Sequence, residues 1–340
     1  MITTITRFGS LFFIMMILPS IICAQNLDEK HANSKLNPDY IKDYKHLFTT
    51  RFYLLSESVG FTIKPSNQEV PLRYIPNNDI KNGLAFFHKW YGVGLAVNNP
   101  FAGKDVARKG KSKIVDLRVN AYGQAISAEL ALQDYQGFFL KNMLDQPIAW
   151  NPESAYLLRP DMHIFSTSAI MYCVVNHKKH SFRAAYIQNE RQLKSSGSFI
   201  IMPSFVYLKL QSDSTMIPDF YNSTYLVQDI EHIEDGKFFT YGVSLGYSYT
   251  YVFFKNFYVN LSLIPGLFMQ NYDYESELGS DKGAKFSALW LGRAAFGFNS
   301  DFIYLGIGGV HGFNPSKFNI GQTNFNYEMN QIRVWIGTRF

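Results

Sequence analysis

Over residues 239–253 apolar or aromatic positions alternate with small or polar ones. Phe239, Tyr241, Val243, Leu245, Tyr247, Tyr249, Tyr251 and Phe253 form one set; Thr240, Gly242, Ser244, Gly246, Ser248 and Thr250, then apolar Val252, fall between them. Successive strand side chains point to opposite faces, so this segment has a greasy face and a small polar face. A soluble sandwich uses such a strand once or twice. Here the pattern recurs along most of the chain and closes it at Phe340. That repetition predicts an all-β fold, a transmembrane antiparallel up-and-down barrel of the bacterial outer membrane, with lipid against the greasy face.

Tight hairpins strengthen the expectation. Residues 83–88 and 92–98 flank Lys89-Trp90-Tyr91, and residues 113–121 and 125–133 flank Tyr122-Gly123-Gln124. Further pairs are expected at 164–175 with 182–189, 239–253 with 257–269, and 286–298 with 302–310. The turns within these pairs are short and the links between pairs long, as on the periplasmic and outer sides of such barrels. With a first strand at 48–63 and a last at 325–340, the scheme has 12 strands. Residues 198–210 also read as a strand; with a partner at 221–229 they would make 14. Pro203 and Pro265 lie inside expected strands and should mark bulges or strand ends.

The N-terminus reads as an export signal over residues 1–24: Arg7, an apolar run over 8–22, and Ile22-Cys23-Ala24 before a cut at Gln25. The run is short of the ~20 residues of a spanning helix. A lipoprotein acylated at Cys23 is the alternative, and bulky Ile22 speaks against it. A polar periplasmic leader then occupies 25–47 and the barrel 48–340. Aromatic content is 16%, with 30 Phe and 22 Tyr. Interfacial girdles would consume many of these, but so would an aromatic core, and only the alternation decides. Without the signal one cysteine remains, Cys173, so no internal disulfide forms. A net charge of +5 is too small to point to nucleic acid.

The phase of the strands sends Asp116, Arg118, Glu129, Arg183, Arg293, Arg333 and Arg339 into the barrel, because charge on the lipid face is costly. As a group they line a pore or brace a filled lumen through ion pairs, and both readings stay open. Lys104, Arg108, Lys109, Lys111 and Lys113 form a basic loop, solvated or gripping lipopolysaccharide phosphates. Expected partners are outer-membrane lipid, lipopolysaccharide and, through Phe340 at the end of the last strand, the barrel assembly machinery. The rival class is a lipid-modifying enzyme, lipase- or acyltransferase-like. His163 with Ser166, His177 with Ser181, and His88 are its candidates, but no Gly-x-Ser-x-Gly occurs. His177 and His180 share a turn with Lys178 and Lys179, which would repel a metal ion. No phosphate loop or dinucleotide fingerprint is present, so no cofactor is expected.

Several stretches are similar to a known family: Arg73-Tyr74-Ile75-Pro76-Asn77-Asn78, Phe86-Phe87-His88-Lys89-Trp90-Tyr91-Gly92, Asp134-Tyr135-Gln136-Gly137-Phe138-Phe139-Leu140, Leu158-Arg159-Pro160-Asp161, Asn176-His177-Lys178-Lys179 with Ser181-Phe182-Arg183-Ala184-Ala185, and the block from Glu190 to Ser198. Together they resemble the domain-of-unknown-function family 4421, exported proteins of Bacteroidota-type bacteria. His88 and His180 stand where the family has Tyr and Phe. The resemblance implies an outer-membrane barrel and no activity. The last block carries the most chemistry, with Glu190, Arg191, Gln192, Lys194, Ser195, Gly197 and Ser198. It reads as a charged constriction or ligand clamp, or as a polar strand end at the membrane rim in which Gly197 permits an unusual backbone angle. The functional expectation is a non-enzymatic outer-membrane protein, either a narrow channel or a structural or binding protein of the envelope. A secreted soluble β-protein is a third possibility.

Overall fold

The computed structural model describes residues 36–65, 70–77, 80–98, 105–146, 150–218, 233–276, 279–312, 316–320 and 323–340. The expected signal over 1–24 and the expected strand at 221–229 lie outside these residues.

Twelve antiparallel strands close a barrel. In order around the wall they are β2 (Thr49–Pro65), β4 (Lys81–His88), β5 (Tyr91–Asn98), β6 (Lys113–Tyr122), β7 (Ile126–Leu140), β8 (Leu158–Val174), β10 (Ser196–Gln211), β11 (Ile233–Phe253), β12 (Phe257–Ser276), β13 (Gly279–Asn299), β14 (Ile303–His311) and β16 (Thr323–Arg339), which pairs back to β2. Closure leaves the backbone groups of the paired strands satisfied without a partner chain. No described helix is long and apolar enough to cross a membrane. The outward set of β11 is solvent-exposed from Phe239 to Tyr251, with Leu245 at 58% and Tyr247 at 45%, and half-buried at Phe253. Val334 on β16 is also exposed. These are the faces that the alternation pattern expects lipid to cover.

Two expectations about strands need correction. Residues 182–189 do not return β8. Ser181 caps a short helix, α2 (Phe182–Tyr186), accepting from the Ala184 amide at 2.9 Å, and β8 pairs with β10 instead. The supposed thirteenth strand is therefore the true partner, and the barrel stays at twelve. Nor do the prolines mark bulges or ends. The β8–β10 ladder omits the pairs at Met202 and Pro203 and resumes in the same register, and the β11–β12 ladder does so beside Pro265. Proline removes a donor, and the neighbouring bonds hold the register.

The wall changes character with height. The inner row of β2 runs Arg51, Tyr53, Leu55, Glu57, then Val59, Phe61, Ile63, all buried, while its outer row runs from exposed Phe52 and Leu54 to Ser56, Thr62 and Lys64. On β10 the inner row climbs from Ser196 and Ser198 to Val206, Leu208 and Leu210. The outer part of the barrel is thus inverted relative to its membrane part, as expected where water replaces lipid outside. There β3 (Leu72–Ile75) bridges β2 directly to β7, bypassing the shorter β4, β5 and β6. The narrowed mouth is packed by Phe61, Ile63, Leu72, Tyr74, Tyr135 and Tyr327 with others. Each fully buried large side chain contributes about 1.5–3 kcal/mol. Met216 and Ile217 cover this core; the Tyr74 hydroxyl donates to the Met216 carbonyl at 2.7 Å, and Arg159 donates to the Ser214 and Thr215 carbonyls at 3.0 and 2.7 Å.

Beyond His311 the wall strand parts from β13. The β13–β14 ladder ends at Gly292 and His311, and the chain continues after Gly312 (φ +86°) into β15 (Ser316–Ile320), which pairs with β16 alone. Among the described residues no strand pairs with that edge of β13 from Ser280 to Leu291.

Candidate functional site

The end of the barrel that carries the short turns is closed by the connection between β8 and β10. After α2, the chain passes through Gln188, in the left-handed region at φ +63°, into β9 (Glu190–Gln192), which pairs with β1 (Ile41–Asp43). A non-glycine residue there costs about 1–3 kcal/mol unless its surroundings hold it. Here the wall does: the Gln188 carbonyl accepts from Arg339 Nε at 2.8 Å and also from Arg339 Nη2. Arg51 Nη2 donates to the Tyr186 and Ile187 carbonyls at 2.8 and 2.7 Å, the Tyr258 hydroxyl to the Ala185 carbonyl at 2.8 Å, and Asn299 Nδ2 to the Glu190 carbonyl at 3.1 Å. The segment is a plug whose backbone is satisfied by side chains of the barrel wall.

Of the polar block, Glu190 to Ser195 belong to this plug, and Ser196 to Ser198 open the wall strand β10. Buried Glu190 accepts from the Ser181 hydroxyl at 2.5 Å and lies 3.6 Å from both Lys45 Nζ and Arg183 Nη1. Gln192 Nε2 donates to the Lys179, Lys194 and Tyr40 carbonyls at 2.6, 2.9 and 3.2 Å, and its Oε1 accepts from the Ser181 amide at 2.9 Å. Arg191 meets Asp301 at 3.1 Å. Lys194 sits over the Tyr40 ring, and the Ser195 and Ser198 hydroxyls accept from the Val252 and Asn176 amides at 2.9 and 2.8 Å. Gly197 is not required for a backbone angle: its φ is not positive, and a Cβ there would strike the Tyr247 hydroxyl. In the turn above, Lys42 and the Tyr44 hydroxyl hold the Asp301 carboxyl below the usual carboxylate range. His180, fully buried, donates from Nδ1 to the Ser196 carbonyl at 3.0 Å, with Nε2 3.2 Å from Ser248 Oγ. Burial pushes its pKa down to about 4.

Between plug and apolar mouth lies a polar chamber. Glu57 and Asp116 face Lys81 and Arg118. Lys81 Nζ is 3.0 Å from Glu57 and 3.6 Å from Asp116, and Arg118 grips Asp116 through Nε and Nη2 at 2.9 and 3.0 Å while Nη2 also reaches Glu57. Two acids and two bases cancel in a site where unpaired charge would cost several kcal/mol. Lower down, Arg293 Nη1 lies 3.8 Å from Glu129 and its guanidinium is stacked over Tyr186 at 4.3 Å, with Phe182 and Tyr172 close by. Arg333 lies over Tyr53 at 4.8 Å, and Arg339 over Tyr44 and Tyr304 at 4.3 and 4.8 Å. Asp116, Arg118, Glu129, Arg183, Arg293 and Arg333 line one cavity of about 80 Å³. Arg339 stands below it against the plug. Arg183 reaches the cavity from α2 and not from a strand, because the segment that carries it is the plug.

Arg51, Glu57 and Lys81 were missed as candidates. Their signal was phase: positions 51, 53, 55 and 57 share one face of β2, and the polar run Ser56-Glu57-Ser58 puts only Glu57 on it. The histidine candidates form no catalytic group. His163 bonds Asp134 at 2.7 Å, but Ser166 lies on the opposite face of β8. The Ser181 hydroxyl is committed to Glu190 and the helix cap. His88 stacks on Phe48 at 4.3 Å. In the basic loop, α1 (Val106–Lys109) docks Arg108 over Tyr156 and on the Pro152 carbonyl, and Lys109 over Phe139. Among the described residues no group of three His, Cys, Asp or Glu is placed to hold a metal.

A family model described as a domain of unknown function, DUF4421, matches residues 34–340. No curated protein matches the chain. Solved structures with a similar fold include the outer membrane protease OmpT of Escherichia coli (7% identity, 88% of this chain and 98% of that one, TM-score 0.36). The translocator domain of the autotransporter NalP of Neisseria meningitidis (12%, 86% and 88%, TM-score 0.35) and the toluene transporter TodX of Pseudomonas putida (9%, 89% and 90%, TM-score 0.28) are others.

Proposed function

Since the chain belongs to the DUF4421 family, whose description assigns no activity, we propose from the geometry that it is a closed, non-conducting barrel serving as a structural or binding element of the bacterial outer membrane. The observation that carries this is closure at both ends: the wall-bonded plug below and the apolar core above, with a chamber of only about 80 Å³ between them. Of the two readings open for the inward charges, bracing fits better than lining a pore, since Glu57, Lys81, Asp116 and Arg118 pair with one another. The exposed apolar belt of β11 supports a location in lipid. Phe340 and Phe48 exchange backbone bonds at 3.0 and 2.9 Å where the last strand closes on the first, which suits a terminal residue read during assembly. Lipopolysaccharide would meet the outer rim.

Planar-bilayer recording on purified protein, folded as judged by heat-modifiable gel mobility, tests the proposal. The expected result is no stepwise conductance. Reproducible single-channel steps from the folded band would sink it.

A further inference from the structure

The chamber is over-supplied with positive charge. Five guanidinium groups line it, from Arg51, Arg118, Arg183, Arg293 and Arg333, against two carboxylates, Asp116 and Glu129. Asp116 belongs to the balanced group with Glu57, Lys81 and Arg118, Glu129 faces Arg293, and Arg183 faces Glu190. Arg51 and Arg333 have no carboxylate within ion-pair distance among the described residues. Arg51 is spent on two plug carbonyls. Arg333 shares the Gln331 amide oxygen with Arg118, each at 3.2 Å in the amide orientation that satisfies both. Two guanidinium groups thus line the chamber without a carboxylate to balance their charge.

A second observation points the same way. Nε of Arg51, Arg183, Arg293 and Arg333 is buried, and no described acceptor meets it. Aromatic rings account for the flat faces of these groups: Trp335 and Phe87 for Arg51, Tyr53 for Arg333, Tyr186 and Phe182 for Arg293. Rings satisfy the planes by cation–π attraction but leave the in-plane N–H edges to seek acceptors. Nε itself has no accessible surface, so the N–H groups that an anion in the chamber would meet are those of the terminal nitrogens.

We propose that the chamber binds one small oxyanion of the size and charge of inorganic phosphate, held by Arg51 and Arg333 with Arg183 and Arg293 at its sides. A cavity of about 80 Å³ is several times the roughly 10–15 Å³ needed to hold one water, so a phosphate has room. Several N–H edges from different strands favour a multi-oxygen anion over chloride. This builds on the closed-barrel reading, because the plug and the apolar mouth retain the anion, which enters as the barrel folds or when the plug loosens.

The test uses the full chain refolded in a neutral detergent free of phospholipid, so that any anion comes from solution and not from a headgroup. Refolding is done with radiolabelled inorganic phosphate, or with chloride at equal ionic strength. After desalting, the folded band should retain about one phosphate per chain, and phosphate should raise the unfolding temperature on the gel-mobility assay. R51Q and R333Q should retain about tenfold less or worse, whereas R333K, which keeps the charge, should retain an intermediate amount. If a glutamine variant does not fold, the phosphate-against-chloride comparison on the wild type decides. No retention above that of boiled protein, with no phosphate-specific rise in unfolding temperature, overturns the proposal. A conducting barrel would overturn the closure; a silent barrel that fails to retain phosphate overturns only the anion site.

Discussion

At the scale of single residues, the chamber works by mutual cancellation. Glu57 is wholly buried and meets Lys81 at 3.0 Å, Arg118, and the Tyr135 hydroxyl at 3.4 Å. Removing it leaves Lys81 and Arg118 to share the single carboxylate of Asp116 in a low dielectric. Glu57→Ala should therefore cost about 3–5 kcal/mol, read as a marked fall in the temperature at which the folded gel band is lost. The double change Glu57→Leu with Lys81→Met deletes one charge of each sign and should cost much less than the two single changes added together. Additive losses would show that the pair is not coupled. Glu57 also shows how a residue hides in a sequence. The run Ser56-Glu57-Ser58 reads as a break in the strand. In the barrel, Ser56 faces outward and Glu57 faces the chamber, so the strand never breaks.

Among the elements, the plug depends on contacts that respond to pH. His180 is neutral in the fold, and burial holds its pKa at about 4 against 6.5 when free. A released plug binds a proton below pH 6.5 that the docked plug refuses until about pH 4. Docking is thus strongest above pH 6.5 and weakens as pH falls through that window, by on the order of 2 kcal/mol at pH 5. Hydrogen exchange of residues 176–195, corrected for intrinsic rates, should accelerate between pH 7 and pH 5, and His180→Gln should flatten that dependence. An unchanged slope in His180→Gln would assign it to another group. A second element-level expectation concerns β13. From Ser280 to Leu291 its edge beyond β12 lacks a strand partner among the described residues, whereas 292–298 is paired on both sides. Alternate amides in the first stretch should exchange faster than any in the second. Uniform protection would mean that the seam is closed in solution.

For the molecule as a whole, the proposed closure at both ends predicts an inaccessible chamber. In a Cys173→Ser background, Asn120→Cys places a thiol on the cavity wall and Lys237→Cys places one on the exposed outer face of β11. A charged, membrane-impermeant thiol reagent should label the second from its own side of the membrane and the first from neither. Rapid labelling of Asn120→Cys would reveal an aqueous path through the plug or the mouth.

Much of this architecture can be read from alternation alone, and the reason is lipid. A continuous apolar solvent imposes period two on every strand that crosses it, so Phe239 to Phe253 and the Ile332, Val334, Ile336 face of β16 declare their phase locally, as do the hairpins at Lys89-Trp90 and Phe254-Lys255-Asn256. Inside the barrel no such solvent acts. Alternation says that Arg118, Arg293 and Arg339 point inward but not what they meet, because their partners lie far along the chain: Glu57 for Arg118, the rings of α2 for Arg293, the Gln188 carbonyl for Arg339. Residues 182–189 mix apolar and polar side chains much as a strand does, and only the cap at Ser181 and the wall side chains that satisfy its backbone make it a plug. The outside of this protein was decided by its sequence against a uniform solvent; the inside was decided by tertiary contacts, since the filling of a closed space depends on which distant groups the closure brings together.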